Sequence, residues 1–351
     1  MPSIPHIVAI GTAVPDHDIH PAFVDWARDR LPPREERVFA RMAARAGIAH
    51  RWSVLPAAHG SPVGPAGFYA TEPHPGTGTR MALYAQAAPV LAIAAVAALG
   101  EQVSLDGITH LVVASCTGFV APGIDQIIAR ELGLSQSVER VLIGFMGCYA
   151  AIVALRTARH IVRSEPAARV LVVTVELSTL HLQSARTLEP LLAMLQFGDG
   201  AAAALVTADP AGLAIGQPFS TTLPGSDALI RWDITDRGFA MHLSGEVPGR
   251  IGTALRDPAL TTILTGGRAV DRWAVHAGGR SILDAVQHGL GLAGDALDDS
   301  RAVLAANGNM SSATLMFVLA RILAGPAVDH GVALAFGPGL AAEGLCFSSA
   351  A

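Results

Sequence analysis

The chain is short of charge, of cysteine and of paired metal ligands. Only 15% of its 351 residues are Asp, Glu, Lys or Arg, whereas 51% are hydrophobic, which describes a protein with much buried surface. The charges nearly cancel, leaving a net −5. No basic field arises for a phosphate backbone, so no nucleic-acid partner is expected. The three cysteines, Cys116, Cys148 and Cys346, are too few and too widely spaced for a disulfide framework, and they point to a reducing, cytoplasmic compartment. The 13 histidines include no His-x-x-x-His pair, and Cys-x-x-Cys is missing too, so no metal is expected. Met1-Pro2-Ser3-Ile4-Pro5 carries neither a basic region nor a cleavage pattern, so export is not expected. Glycine (36) and proline (22) are spread along the chain, which leaves no compositional case for disorder. One long apolar run exists, Met81 to Leu99, with Gln86 its only strongly polar residue. It is mostly alanine, contains Pro89 and stands alone, which fits a buried helix and not a membrane span.

What is present is an alternation of short apolar runs with longer Ala/Leu-rich stretches of helical period. Expected strands are His6–Ile10, His110–Ala114, Val170–Val175, Ala201–Thr207, Trp273–His276 and Val332–Phe336. Expected helices are Ala82–Leu99, Asp125–Glu131, Ala150–Val162, Ser281–Gly289 and Ala313–Leu323. Continuous apolar strands separated by helices describe an α/β protein whose sheets are covered on both faces. The length suits two fused core units. Asp209-Pro210-Ala211-Gly212 divides the chain into halves 1–210 and 211–351. Each half places a functional-looking residue after a glycine turn, at the start of an apolar helix.

Three glycine-rich islands stand out: Gly147-Cys148-Tyr149-Ala150, Val275-His276-Ala277-Gly278-Gly279, and Asn307-Gly308-Asn309-Met310-Ser311-Ser312. A buried cysteine is usually a small hydrophobe, but Cys148 starts a helix, where free amides and the helix dipole stabilise a thiolate. A histidine partner would lower its pKa further. His276 ends a strand with glycines behind it, which allows close backbone approach. A core histidine is the plainer reading. Asn309 serves equally well as a cap or left-handed turn residue. None of the islands contains a carboxylate.

The trio resembles the type III polyketide synthases, the chalcone and stilbene synthase family. The specific strings are Gly147-Cys148-Tyr149-Ala150, His276 with Gly278-Gly279, Gly308-Asn309-Met310-Ser311-Ser312-Ala313, Phe197-Gly198-Asp199-Gly200 and Phe336-Gly337-Pro338-Gly339-Leu340. The resemblance implies a thiolase-like fold, pseudo-duplicated in five layers (αβαβα), and a homodimer. It implies condensation of malonyl-CoA onto a starter acyl-CoA, with no cofactor beyond these thioesters, closing to a pyrone or a small phenolic ring. Cys148 would carry the acyl group, and His276 and Asn309 would bind the malonyl thioester carbonyl. Phe197 would wall the site, with Met241 at the second gate. Cys116, Thr117, Ser178, His181, Trp232, Ser311 and Pro338 would line the cavity. Trp232 stands where a glycine is usual and would take up elongation space. Arg41 and Arg45 would contact CoA phosphates from one helix face, while Val38 replaces a usual lysine. Two other readings share the trio. A β-ketoacyl carrier-protein synthase III-like enzyme has the same residue order, and a thioester hydrolase would use Cys148 and His276 with Asn309 orienting the imidazole. The first leaves Phe-Gly-Pro-Gly-Leu unexplained, and the second leaves Phe197 and the arginines without a role.

Overall fold

The computed structural model describes residues 3–56 and 61–350. Its centre is a nine-stranded mixed sheet. In spatial order the strands are Arg272–Val275, Gly331–Gly337, Ala341–Ser349, Leu213–Thr222, His6–Ala13, Asp199–Thr207, Val170–Leu177, His110–Ser115 and Glu139–Gly144.

The sheet repeats one pairing pattern. His110–Ser115 runs parallel to Val170–Leu177, which pairs antiparallel with Asp199–Thr207, and that strand antiparallel with His6–Ala13. Arg272–Val275 runs parallel to Gly331–Gly337, which pairs antiparallel with Ala341–Ser349, and that strand antiparallel with Leu213–Thr222. The two sets meet edge to edge where His6 faces Ala214 and Ile7 faces Leu213. The internal echo in the sequence is therefore a repeat of strand order and direction.

Side-chain alternation sorts each strand between two cores. Val170, Val172, Ala202, Ala204, Ala333 and Ala335 face an inner core. Their neighbours Leu171, Val173, Ala201 and Ala203 face one outer core, and Val332 and Leu334 face another. The inner core is filled by two helices, Ala150–Ser164 and Ser312–Leu323, which pack on strands of both sets. Helix Thr77–Gly100 covers the first set through Tyr84, Ala88, Ala92, Ala95 and Leu99. It is long and apolar enough to cross a bilayer by composition, but here those residues pack on the sheet as an outer layer. Helices Val247–Ala254 and Arg280–Gly289 cover the second set through Val247, Ile251, Leu283 and Val286. Outer helix, first strand set, inner helices, second strand set and outer helices give the five expected layers.

A separate hairpin, Ile230–Thr235 with Gly238–Leu243, pairs Trp232 directly with Met241. It carries the side of the functional cavity that the main sheet does not supply.

Candidate active site

Strand Glu139–Gly144 delivers the chain to a 3-10 turn, Gly147–Tyr149, that feeds the inner helix Ala150–Ser164. The turn requires glycine at 147. Its φ is +75°, and a Cβ there would sit 2.4 Å from the Pro338 ring, so the Phe336–Leu340 segment braces the nucleophile turn. Cys116 braces it from the other side: its Sγ accepts from the Gly147 amide at 2.9 Å. Burial holds the Cys116 thiol well above the usual range, so it stays protonated.

Cys148 is partly exposed, into the cavity it lines. The depressed thiol pKa expected from the sequence is not what this setting produces. Desolvation pushes Cys148 up to about 12, although hydrogen bonds from Ser311 and Asn309 pull the other way. Loss of water outweighs the helix start because the helix proper begins only at Ala150. The thiol therefore rests neutral.

His276 follows strand Arg272–Val275, held by its amide on the Leu334 carbonyl at 2.8 Å. Both ring nitrogens are buried without a partner among the described residues, and burial pushes the ring down to about 3. Asn309 has a fixed orientation. Its Oδ1 accepts from the Ser311 amide at 2.8 Å, and its Nδ2 donates to the Gly278 carbonyl at 3.2 Å. Gly278 also lies against the imidazole, since a Cβ on it would be 3.5 Å from His276 Nε2. The other N–H of Asn309 bonds the Cys148 sulfur, and a ring N–H of His276 is left unpartnered among the described residues. Ser311, with a φ of +48°, starts the other inner helix, Ser312–Leu323. Both inner helices therefore begin at one cavity.

That cavity is lined by Cys116, Thr117, Cys148, Ser178, Phe197, Trp232, Met241, Ser311 and Pro338, with Gly147 and Ile230. All of the expected wall residues except His181 are brought together here. His181 lies behind Trp232, with ring centroids 5.5 Å apart, and lines a second chamber. Its ring is neutral and fully used: Nε2 bonds the Thr117 carbonyl and Nδ1 accepts from the Phe239 amide. Trp232 is fixed by an Nε1 bond to the Cys116 carbonyl at 3.0 Å.

Sequence reasoning missed Glu176. The islands hold no carboxylate, but strand Val170–Leu177 supplies one, wholly buried. It accepts from Ser312 Oγ at 2.5 Å, the Cys116 amide at 2.9 Å and Thr117 Oγ1 at 3.0 Å. Burial pushes it up to about 7 against these bonds. A lone charge near the end of an otherwise apolar strand was the available signal.

On the outer side, Arg45 lines an open cleft with Arg280, Gln196 and Asp284. The chain contains no lysine, so arginine is the only strong side-chain cation such a cleft can have. Arg41 is exposed and does not line it. Arg280, directly after Gly278-Gly279, was overlooked in the sequence. Gln196 stands between cleft and site: a Cβ on Gly279 would lie 2.0 Å from its Oε1.

Comparison with known proteins agrees with this geometry. Residues 4–210 match the family described as chalcone and stilbene synthases, N-terminal domain, and residues 215–351 match the C-terminal domain. Over 252 residues, 68% of this chain, it is 37% identical to an alpha-pyrone synthesis polyketide synthase-like protein of Mycobacterium tuberculosis, and likewise to its Mycobacterium bovis counterpart. The matched stretch spans 64% of the length of these curated relatives. Among solved structures, PKS-I from the brown alga Ectocarpus siliculosus superposes with a TM-score of 0.88 at 30% identity, covering 99% of both chains. The C-terminal type III polyketide synthase domain of Steely1, a type I/III hybrid from Dictyostelium, superposes with a TM-score of 0.90 at 25% identity, covering 99% of this chain and 100% of that one.

Proposed function

Because this chain belongs to the chalcone and stilbene synthase family, we propose that it is a type III polyketide synthase, an acyltransferase that condenses malonyl-CoA onto a starter acyl-CoA. The observation that carries the reading is an Asn309 whose amide group is fixed as the donor and bonds Cys148, with the neutral His276 ring against the same Gly278.

The chemistry follows from these groups. The Cys148 sulfur attacks the starter thioester while its proton passes to His276, which is neutral and unpartnered. The bond to the CoA sulfur breaks, and CoA leaves with a proton. Malonyl-CoA then places its thioester oxygen between His276 and Asn309. Loss of CO₂ sends the electron pair of the broken C–C bond onto that oxygen, where fixed donors stabilise the enolate. The enolate carbon attacks the acyl carbonyl on Cys148, forms the new C–C bond and frees the thiolate. A neutral asparagine suits this step, since a carboxylate would repel both the oxyanion and the departing carboxylate. Cyclisation to a pyrone or small phenolic ring suits the confined cavity. Neither step calls for a cofactor, and the substrates are the two CoA thioesters, with phosphates on Arg45 and Arg280.

A homodimer is supported by the outer strand Glu139–Gly144, whose far edge is unpaired among the described residues. Val141 and Leu142 on it, and Phe119 nearby, are 40%, 46% and 46% exposed. An open apolar edge of this kind is usually covered. The three free cysteines suit a cytoplasmic setting.

The test is incubation with malonyl-CoA and a panel of starter acyl-CoAs, scored for CoA, CO₂ and C–C-bonded product. Hydrolysis without condensation, or dependence on a carrier protein, would sink this reading.

A further inference from the structure

Beyond Trp232 lies a second chamber that the proposed condensation leaves unused. It shares Ser178, Phe197, Trp232 and Met241 with the Cys148 cavity. Its other walls are largely apolar, with Phe23, Tyr69, Met194 and Phe239 prominent. One wall is a cation. Arg51 lines the chamber with only 2% of its surface exposed, its guanidinium 4.5 Å from the Phe23 ring centroid.

The bonds of this guanidinium can be counted. Nε donates to His20 Nδ1, and Nη1 donates to the carbonyls of Met194 and Phe197. Nη2 is buried with no partner among the described residues. Among the described residues Arg51 makes no ion pair. The carboxylates nearest in charge are Asp18 and Asp199, and both are engaged elsewhere. Asp18 binds His50 and the backbone amides of His20 and Arg51. Asp199 binds Thr179 and the Val54 amide. Behind Tyr69, Arg80 is wholly buried, and its Nη2 is also unpartnered. A buried guanidinium with an orphan donor is costly to leave so, and an enclosed apolar chamber beside it admits an occupant that satisfies the donor. Burial lowers Arg51 only to about 9, which keeps it charged at neutral pH.

We propose that this chamber takes the far end of the acyl group carried on Cys148, and that the group it is built for ends in a carboxylate bound by Arg51, the cation in its wall. The methylenes of a dicarboxylic monothioester lie along the aromatic and methionine walls, and the terminal oxygens reach the guanidinium. The acyl part of this inference rests on the synthase reading, whereas the anion site does not.

Two length-matched pairs test it on the intact enzyme. Free hexanoate and hexanamide are compared by calorimetry, and adipyl-CoA and hexanoyl-CoA by the mass of acylated Cys148. Hexanoate should bind at least about tenfold more tightly than the uncharged amide, as one charge-assisted hydrogen bond in a buried site allows. Adipyl-CoA should load with a similar advantage over hexanoyl-CoA. Arg51→Gln should erase both preferences. Should that variant fail to fold, Met194→Trp fills the chamber while leaving the backbone acceptors of Arg51 in place, and it should abolish hexanoate binding. Equal binding of hexanoate and hexanamide by the unmodified enzyme, or undiminished hexanoate binding by Met194→Trp, overturns the proposal. Hexanoate binding as expected without loading of either ester would uphold the anion site and overturn its acyl assignment together with the synthase reading.

Discussion

Phe197 and Asn309 are bridged through their backbones. The Asn309 amide donates to the Gln196 carbonyl at 2.8 Å, and the Gly198 amide donates to the Asn309 carbonyl at 3.0 Å. The cavity wall and the carboxamide donor are thus one rigid unit, and a substitution at either position is felt by the other.

Asn309→Asp keeps the acceptor that holds the Ser311 amide but replaces the N–H donor with an oxygen facing the Gly278 carbonyl. Decarboxylation of malonyl-CoA should fall below that of Asn309→Ala, which itself should lose roughly 10²–10³ in kcat. CO₂ release measured on both variants checks the order, and a faster Asp variant would place Asn309 away from the malonyl carbonyl.

Cys148→Ala should lose starter loading and product yet retain some malonyl-CoA decarboxylation, because His276 and Asn309 are held by backbone contacts independent of the thiol. Mass analysis of the protein and a CO₂ assay separate the two activities.

Glu176 gives a pH signature. Its pKa is raised from an ordinary 4.5 to about 7 in the fold, so the stability it contributes is complete below 4.5 and is lost as pH rises through 7. Between pH 4.5 and 8, the native enzyme should lose on the order of 2–3 kcal/mol more stability than Glu176→Gln. Asp199, also raised to about 7, contributes equally to both and cancels. Urea midpoints at the two pH values measure the difference, and parallel pH dependence would show that Glu176 ionises normally.

Arg45→Ala with Arg280→Ala should raise KM for CoA thioesters roughly tenfold with little change in kcat. Thioesters of N-acetylcysteamine, which lack the phosphates, should be unaffected. Arg41→Ala alone should be close to neutral, since Arg41 does not line the cleft.

Trp232→Gly should join the two cavities that its ring separates and admit longer starters or further extension. It should also cost about 3 kcal/mol of stability, because the indole bonds the Cys116 carbonyl and packs on His181 and Phe239. Product profiles and a melting curve check both. An unchanged product from a folded variant would place the indole outside the path of the acyl chain.

Much of this was legible in the sequence because the buried strands are continuous apolar runs. Val170–Leu177 and Asp199–Thr207 are buried at every residue, and their expected positions differ from the observed ones only at the ends. The hairpin Ile230–Thr235 and Gly238–Leu243 was not legible as strands. Arg231, Asp233 and His242 face solvent, and a two-stranded ribbon leaves little apolar pattern. Strand Leu213–Thr222 was hidden by Gly216 and Pro218. The nucleophile, imidazole and carboxamide were readable from glycine-flanked strings. The protonation state of Cys148 was not, because it depends on how completely Ser311, Pro338 and Phe197 remove water. Glu176 and Arg51 were missed because they sit in segments that otherwise look structural.

The start of both inner helices at one cavity also separates the reaction from the ionic medium. Two helix N-termini present partial positive charge there, deep in protein where dissolved ions scarcely screen it. Arg45 and Arg280 face open water, within reach of counterions. Added salt should therefore weaken the proposed capture of CoA thioesters while leaving the decarboxylation barrier nearly where it was. Ionic strength would then act on arrival and spare chemistry.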